Sequence, residues 1–159
     1  MKVVIDRITE ILTGSLLAFM VIIAVWQVFT RFVLQSPSIV TEEMLRYGLI
    51  WLTMVGGAYV YGKNQHLAIV FIARKFPEKI QPLIALFVEA SVMIFAIVML
   101  IMGGMNTVQN AVGQVSPALQ MPMQYYYLSL PVGGGLFLFY SAFNLAGLTK
   151  KNKQSAETK

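Results

Sequence analysis

The chain has no cysteine and one histidine, and over a long stretch it has almost no charge. Without cysteine there is no disulfide, no thiolate nucleophile and no zinc site built on sulfur. With His66 as the single histidine, a haem held by two histidines of one chain is excluded. Charged residues make up 12% of the sequence, about half the share usual in soluble domains. Seventy residues separate Lys79 from Lys150, and Glu89 is the one charged residue among them. A soluble chain of this size cannot keep its surface hydrated across such a gap. Also missing are a phosphate loop, a nucleophile–base pair and a cluster of metal ligands, so the expectation is that the chain is not an enzyme and carries no cofactor.

The sequence is instead rich in long apolar runs. Hydrophobic residues reach 57%, and the runs at 83–105 and 125–148 can each cross the roughly 30 Å hydrocarbon core at about 1.5 Å per residue. A third run, 11–30, is free of charge, and a shorter fourth, 47–62, lies between Arg46 and Lys63. These runs predict an all-α membrane protein in a single domain, 1–148. Its four transmembrane helices fall at about 11–31, 41–62, 82–108 and 124–148, with a basic tail over 149–159. Four spans of about 20 residues leave no room for a soluble catalytic domain.

The net charge of +5 could suggest nucleic acid, but its distribution argues against that. Lys2, Arg7, Lys63, Arg74, Lys75, Lys79, Lys150, Lys151, Lys153 and Lys159 fall on one side of the four-span topology. Arg31 and Arg46 alone fall on the other. Cytoplasmic loops collect lysine and arginine, so both termini are expected in the cytoplasm. The apolar core of the first run is too long for a signal peptide, and no small-residue cleavage site follows it.

The second span is expected to start after the breaker Pro37, capped by Ser38 or Thr41, with Glu42 and Glu43 at the positive end of its dipole. Glu42 and Arg46 are four apart, acid first. Gln27 and Arg31 form a polar stripe at the facing end of the first span. Arginine at membrane depth needs a partner, so Arg31, Glu42, Glu43 and Arg46 are candidates for one ion-paired cluster. The alternative is charged helix ends snorkelling into headgroups. Beyond Lys63, the sequence Gly62-Lys63-Asn64-Gln65 looks like a break. The apolar stretch 67–73, followed by Arg74, Lys75 and Lys79, suggests a short cytoplasmic segment lying in the membrane plane. The alternative is that it extends the second helix.

Small residues mark helix contacts at Gly56, Gly57 and Ala58, at Gly103 and Gly104, and at Gly133, Gly134 and Gly135. Pro131 should kink the fourth span or mark its outer end. Tyr125, Tyr126 and Tyr127, with Trp26, resemble an outer aromatic belt. Glu89 is the one carboxylate inside a span, a functional candidate by default. Its position seven residues after Pro82 favours a shallow carboxylate that snorkels or pairs with Lys79.

Several of these residues carry a resemblance. Val28-Phe29-Thr30-Arg31-Phe32-Val33, Ser36-Pro37, Glu42-Glu43, Arg46-Tyr47, Trp51, Gly56-Gly57-Ala58 and His66 occur in an order similar to that of one known family. Further along, Ser116-Pro117-Ala118-Leu119-Gln120-Met121-Pro122, Tyr127 and Leu130-Pro131-Val132-Gly133 match the same family. It is the small (Q-type) membrane subunit of TRAP (tripartite ATP-independent periplasmic) transporters, and the resemblance covers about residues 10–148. Among its members, the chain looks most like those of sialic-acid systems.

The resemblance implies a bacterial inner-membrane protein. It would pack on the static scaffold of a large, multi-span, elevator-type subunit and enlarge it. A periplasmic substrate-binding protein would deliver an organic acid of the sialic acid or C4-dicarboxylate class. Sodium and substrate would bind the large subunit and not this chain. The interface residues it implies are Arg31, Glu42, Glu43, Arg46, Tyr47, Trp51, Gly56, Gly57 and His66. Two other classes remain open: a stand-alone small dimeric four-helix transporter using Glu89, and a haem-free membrane anchor of a redox complex.

Overall fold

The computed structural model describes the backbone of residues 2–73 and 80–157, and side chains over 3–63, 80–81 and 83–147. Helix α1 spans Lys2–Phe32 and α2 spans Ile39–Ala73. Helix α3 (Gln81–Phe95) runs into a π-helical segment (Ala96–Gly103) and on into α4 (Gly104–Asn110). A loop leads to the short α5 (Gln124–Tyr127) and the long α6 (Ser129–Glu157). No strand occurs among the described residues, apart from an isolated bridge between Val115 and Pro122. The chain is an all-α membrane protein. Among the described residues, three helical stretches are long and apolar enough to cross a bilayer, Val3–Phe32, Leu83–Asn110 and Gln124–Gly147. Helix α2 is the fourth, with Glu42, Glu43, Arg46 and Lys63 among its apolar residues.

Close contacts set the directions of the helices. Gly48 faces Met20 and Gly56 faces Thr13, so α2 runs antiparallel to α1. Gly133 meets Met54, Gly57 faces Phe137 and Gly62 meets Tyr140, so α6 runs parallel to α2. Gly104 lies on Leu130 and Pro131, and Gly134 on Leu100, so the third helix is antiparallel to α6. The bundle therefore alternates up and down, and both chain ends lie on one side of it. Helix α2 is central, packed between α1 and α6, while α6 also carries α3 and the π segment.

Without a hydrophobic drive between helices in lipid, close packing at small residues holds such bundles together. A Cβ on Gly133 would stand 2.8 Å from Met54 Cβ, and one on Gly134 would stand 2.8 Å from Leu100 Cβ. One on Gly104 would stand 2.9 Å from Leu130 Cβ. Gly103 and Gly135 have no such constraint. The π segment is the widest part of the third helix, and its Leu100, Ile101 and Ala96 press on Gly134. Nothing in its sequence signals the wider turn.

Helix α2 shows no interruption at 62–65, where the sequence suggested a break; the segment after Lys63 continues the same helix to Ala73. Gly62 has a different use there. A Cβ would overlap the ring of Tyr140, so the glycine makes room for a fully buried tyrosine. Residues 74–79, with Arg74, Lys75 and Lys79, lie outside the described residues. Pro131 falls in the first turn of α6, where a missing N–H is tolerated. It leaves the Tyr127 carbonyl without its usual helical donor, and the helix is interrupted at Leu128, between α5 and α6.

Candidate functional site

Ser38, just after Pro37, starts α2. Its hydroxyl accepts a hydrogen bond from the Thr41 N–H at 3.4 Å and so caps the helix. This places Glu43 one turn inside. Glu43 is 7% exposed. Its Oε2 accepts the backbone N–H groups of Ala118 at 2.9 Å and Leu119 at 2.7 Å. Its Oε1 accepts the Tyr47 hydroxyl at 3.3 Å. The loop it grips is compact: the Ser116 N–H donates to Met121 O at 2.9 Å, and the Met123 N–H donates to Gln114 O at 2.9 Å. Gln120 takes a positive φ of 53° to close the turn. The ring of Tyr47 stacks on Tyr126 with centroids 3.6 Å apart and planes 9° apart. One carboxylate and one ring pair thus clamp the last loop to the head of α2.

The expected four-residue ion cluster does not form as such. Arg46 pairs with Glu42 at 3.1 Å, one turn apart, with both side chains more than half exposed. Arg31 ends α1 and lies over the Phe32 ring at 5.9 Å. Glu43 turns away from both arginines because two backbone amides and a tyrosine satisfy it better inside the bundle. Tyr126 likewise leaves the expected aromatic belt for the core, 8% exposed, while Tyr125 is 51% exposed. Trp26 is 54% exposed and stacks on Phe29. Gly56 and Gly57 face Thr13 and Phe137. The His66 side chain lies outside the described residues. The Glu43–Tyr47 spacing of four could have been read as a pair. The loop partners, 75 and 76 residues away, have no local signal.

Glu89 does not snorkel. It is fully buried, and its Oε2 accepts the Tyr61 hydroxyl at 2.7 Å and the Ser141 hydroxyl at 2.5 Å. It therefore ties α2, α3 and α6 together. Its Oε1 has no hydrogen-bond partner among the described residues. The snorkelling expectation counted residues along one helix. It missed that two other helices bring hydroxyls to the same depth. No group of three His, Cys, Asp or Glu that could hold a metal ion occurs among the described residues.

A third feature is apolar. A groove of about 490 Å³ opens between α1 and α2 beside Leu119, Met121 and α5. A second of about 380 Å³ opens between α1, α2 and α6. Trp51 lines both, so the two grooves follow one another along α2 as a furrow that meets at that residue.

The family described as tripartite ATP-independent periplasmic transporters, DctQ component, matches residues 20–151. The chain is 29% identical over 150 residues to the sialic acid TRAP transporter small permease protein SiaQ of Vibrio cholerae, covering 94% of this chain and 86% of the relative. It is 27% identical over 135 residues to the sialic acid TRAP transporter permease protein SiaT of Haemophilus influenzae, covering 85% of this chain and 22% of that longer protein. With four alternating helices, no catalytic constellation among the described residues and a family match over most of its length, the chain belongs to the DctQ-component family of tripartite ATP-independent periplasmic transporters.

Proposed function

We propose that the chain is the small permease subunit of a sodium-driven TRAP transporter for an organic acid of the sialic acid or C4-dicarboxylate class. It sits in the bacterial inner membrane with both termini in the cytoplasm. Its partners are a large multi-span permease subunit and a periplasmic substrate-binding protein. It packs on the static scaffold of an elevator-type large subunit, which holds the sodium and substrate sites; the small subunit itself carries no cofactor.

The observation that carries this reading is the family match over residues 20–151, joined to a relative named as a sialic acid small permease. The interior supports a scaffold. Among the described residues, the buried Glu43 and Glu89 join elements of the bundle. The lysine and arginine distribution supports the orientation.

The test is co-expression with the large permease, purification through a tag on this chain, and reconstitution with the binding protein. The expected result is a stable complex whose uptake of sialic acid needs a sodium gradient, the binding protein and both subunits. A tagged chain that purifies alone, or uptake undiminished when it is omitted, would overturn the reading.

A further inference from the structure

The furrow along α2 is apolar and is lined midway by a tryptophan, Trp51. Its floor on α2 is Met44, Gly48, Trp51 and Val55, a stripe at helical spacing. One wall is α1, from Ile5 to Ile23, about 27 Å of helix and so most of the roughly 30 Å hydrocarbon core. The other wall is α5, α6 and the clamped loop. Helix α1 is held mainly by α2, and only 11% of its most apolar window is buried.

Trp51 stands midway along the 41–62 span, far from the interface where tryptophan usually finds acceptors. Its indole N–H has no hydrogen bond among the described residues. In hydrocarbon neither water nor a headgroup can satisfy such a donor. A lipid tail fits an apolar furrow but brings no acceptor to mid-membrane. A transmembrane helix can, through a serine, threonine, asparagine or glutamine side chain or a carbonyl freed at a kink.

We infer that the α1–α2–α6 furrow receives a transmembrane helix of the large permease subunit, which brings a hydrogen-bond acceptor to Trp51. This rests on the proposed function for the identity of the partner.

The native chain lacks cysteine, but photo-crosslinking needs none. A benzophenone amino acid is placed singly at Leu12 or Leu16 on the furrow wall, and at Phe87 or Ile94 on the exposed face of α3, in the co-expressed complex. Adducts with the large permease are expected from Leu12 and Leu16. Copurification with adducts confined to Phe87 and Ile94, or with lipid adducts alone at Leu12 and Leu16, would overturn the inference while leaving the proposed function intact. Failure of the unsubstituted chains to copurify would instead remove the partner and both readings with it. The Trp51→Phe change keeps an aromatic ring and deletes the N–H. It is expected to lower recovery of the large permease about three-fold in dilute detergent. Unchanged recovery would refute the role given to Trp51.

Discussion

Replacing Glu43 separates a buried clamp from a surface ion pair. Glu43→Ala removes the acceptor of two backbone amides, at 2.9 and 2.7 Å, and of the Tyr47 hydroxyl at 3.3 Å. Hydrogen bonds to a charged group contribute about 1.5–3 kcal/mol each. Ala118 and Leu119 are half-buried, so water replaces part of what is lost. The expected loss is about 2–4 kcal/mol. Glu43→Gln keeps one acceptor oxygen but no charge and should lose about 1 kcal/mol. Arg46→Ala breaks an exposed pair one turn apart and should lose less than about 0.5 kcal/mol. The assay is the fraction of folded protein after stepwise heating, read by size-exclusion chromatography in detergent. Limited proteolysis of the loop at 111–123 is run beside it. The expected order of stability is wild type, Arg46→Ala, Glu43→Gln, Glu43→Ala, with the loop cut faster in the last two. The Glu43→Ala, Arg46→Ala double variant should lose the sum of the two single losses within about 0.5 kcal/mol, since the residues share no partner. Equal midpoints for Glu43→Ala and Arg46→Ala, or strong coupling between them, would refute the clamp.

Glu89→Leu leaves the Tyr61 and Ser141 hydroxyls buried without an acceptor and should destabilise the bundle by roughly 2–4 kcal/mol, whereas Glu89→Gln should lose under about 1 kcal/mol, both read by the same heating assay. Sodium dependence of uptake should survive Glu89→Gln; an altered sodium stoichiometry would place coupling in this chain. Gly133→Ala and Gly134→Ala push a Cβ into Met54 and Leu100 and should destabilise by about 1–3 kcal/mol. Gly14→Ala, with no atom within 4 Å of the new Cβ, should be neutral or slightly stabilising. Single cysteines at Ser155 and Gln114 are expected to label from the cytoplasmic and periplasmic sides respectively; periplasmic labelling at Ser155 would reverse the topology.

What the sequence determined by itself is what depends on local composition. The charge-free stretches specify the membrane, because no partner elsewhere in the chain can make a twenty-residue apolar run soluble. The glycine clusters mark where helices approach, and Ser38 after Pro37 marks where α2 begins. The order of small motifs resembles the family's, and the family match over residues 20–151 agrees with it. The sequence misled where one signal had two outcomes. A glycine beside polar residues at 62–65 resembles a break, yet Gly62 is there to admit Tyr140.

Tertiary structure alone decided which polar groups meet. Four charges near one membrane face suggest a single cluster, but Glu43 is drawn to the amides of a loop 75 residues away because they lie at the head of α2 once the helices alternate. The depth of Glu89 along its own helix says nothing about Tyr61 and Ser141, which α2 and α6 carry to it. The furrow also belongs to the assembled bundle. It exists because α1 packs mainly on α2, so that Trp51, one apolar residue among many in the sequence, comes to line the open groove between the helices. Local pattern fixes what a segment is and how it meets the solvent; long-range pairing follows from helix direction and packing, to which no single segment holds the information.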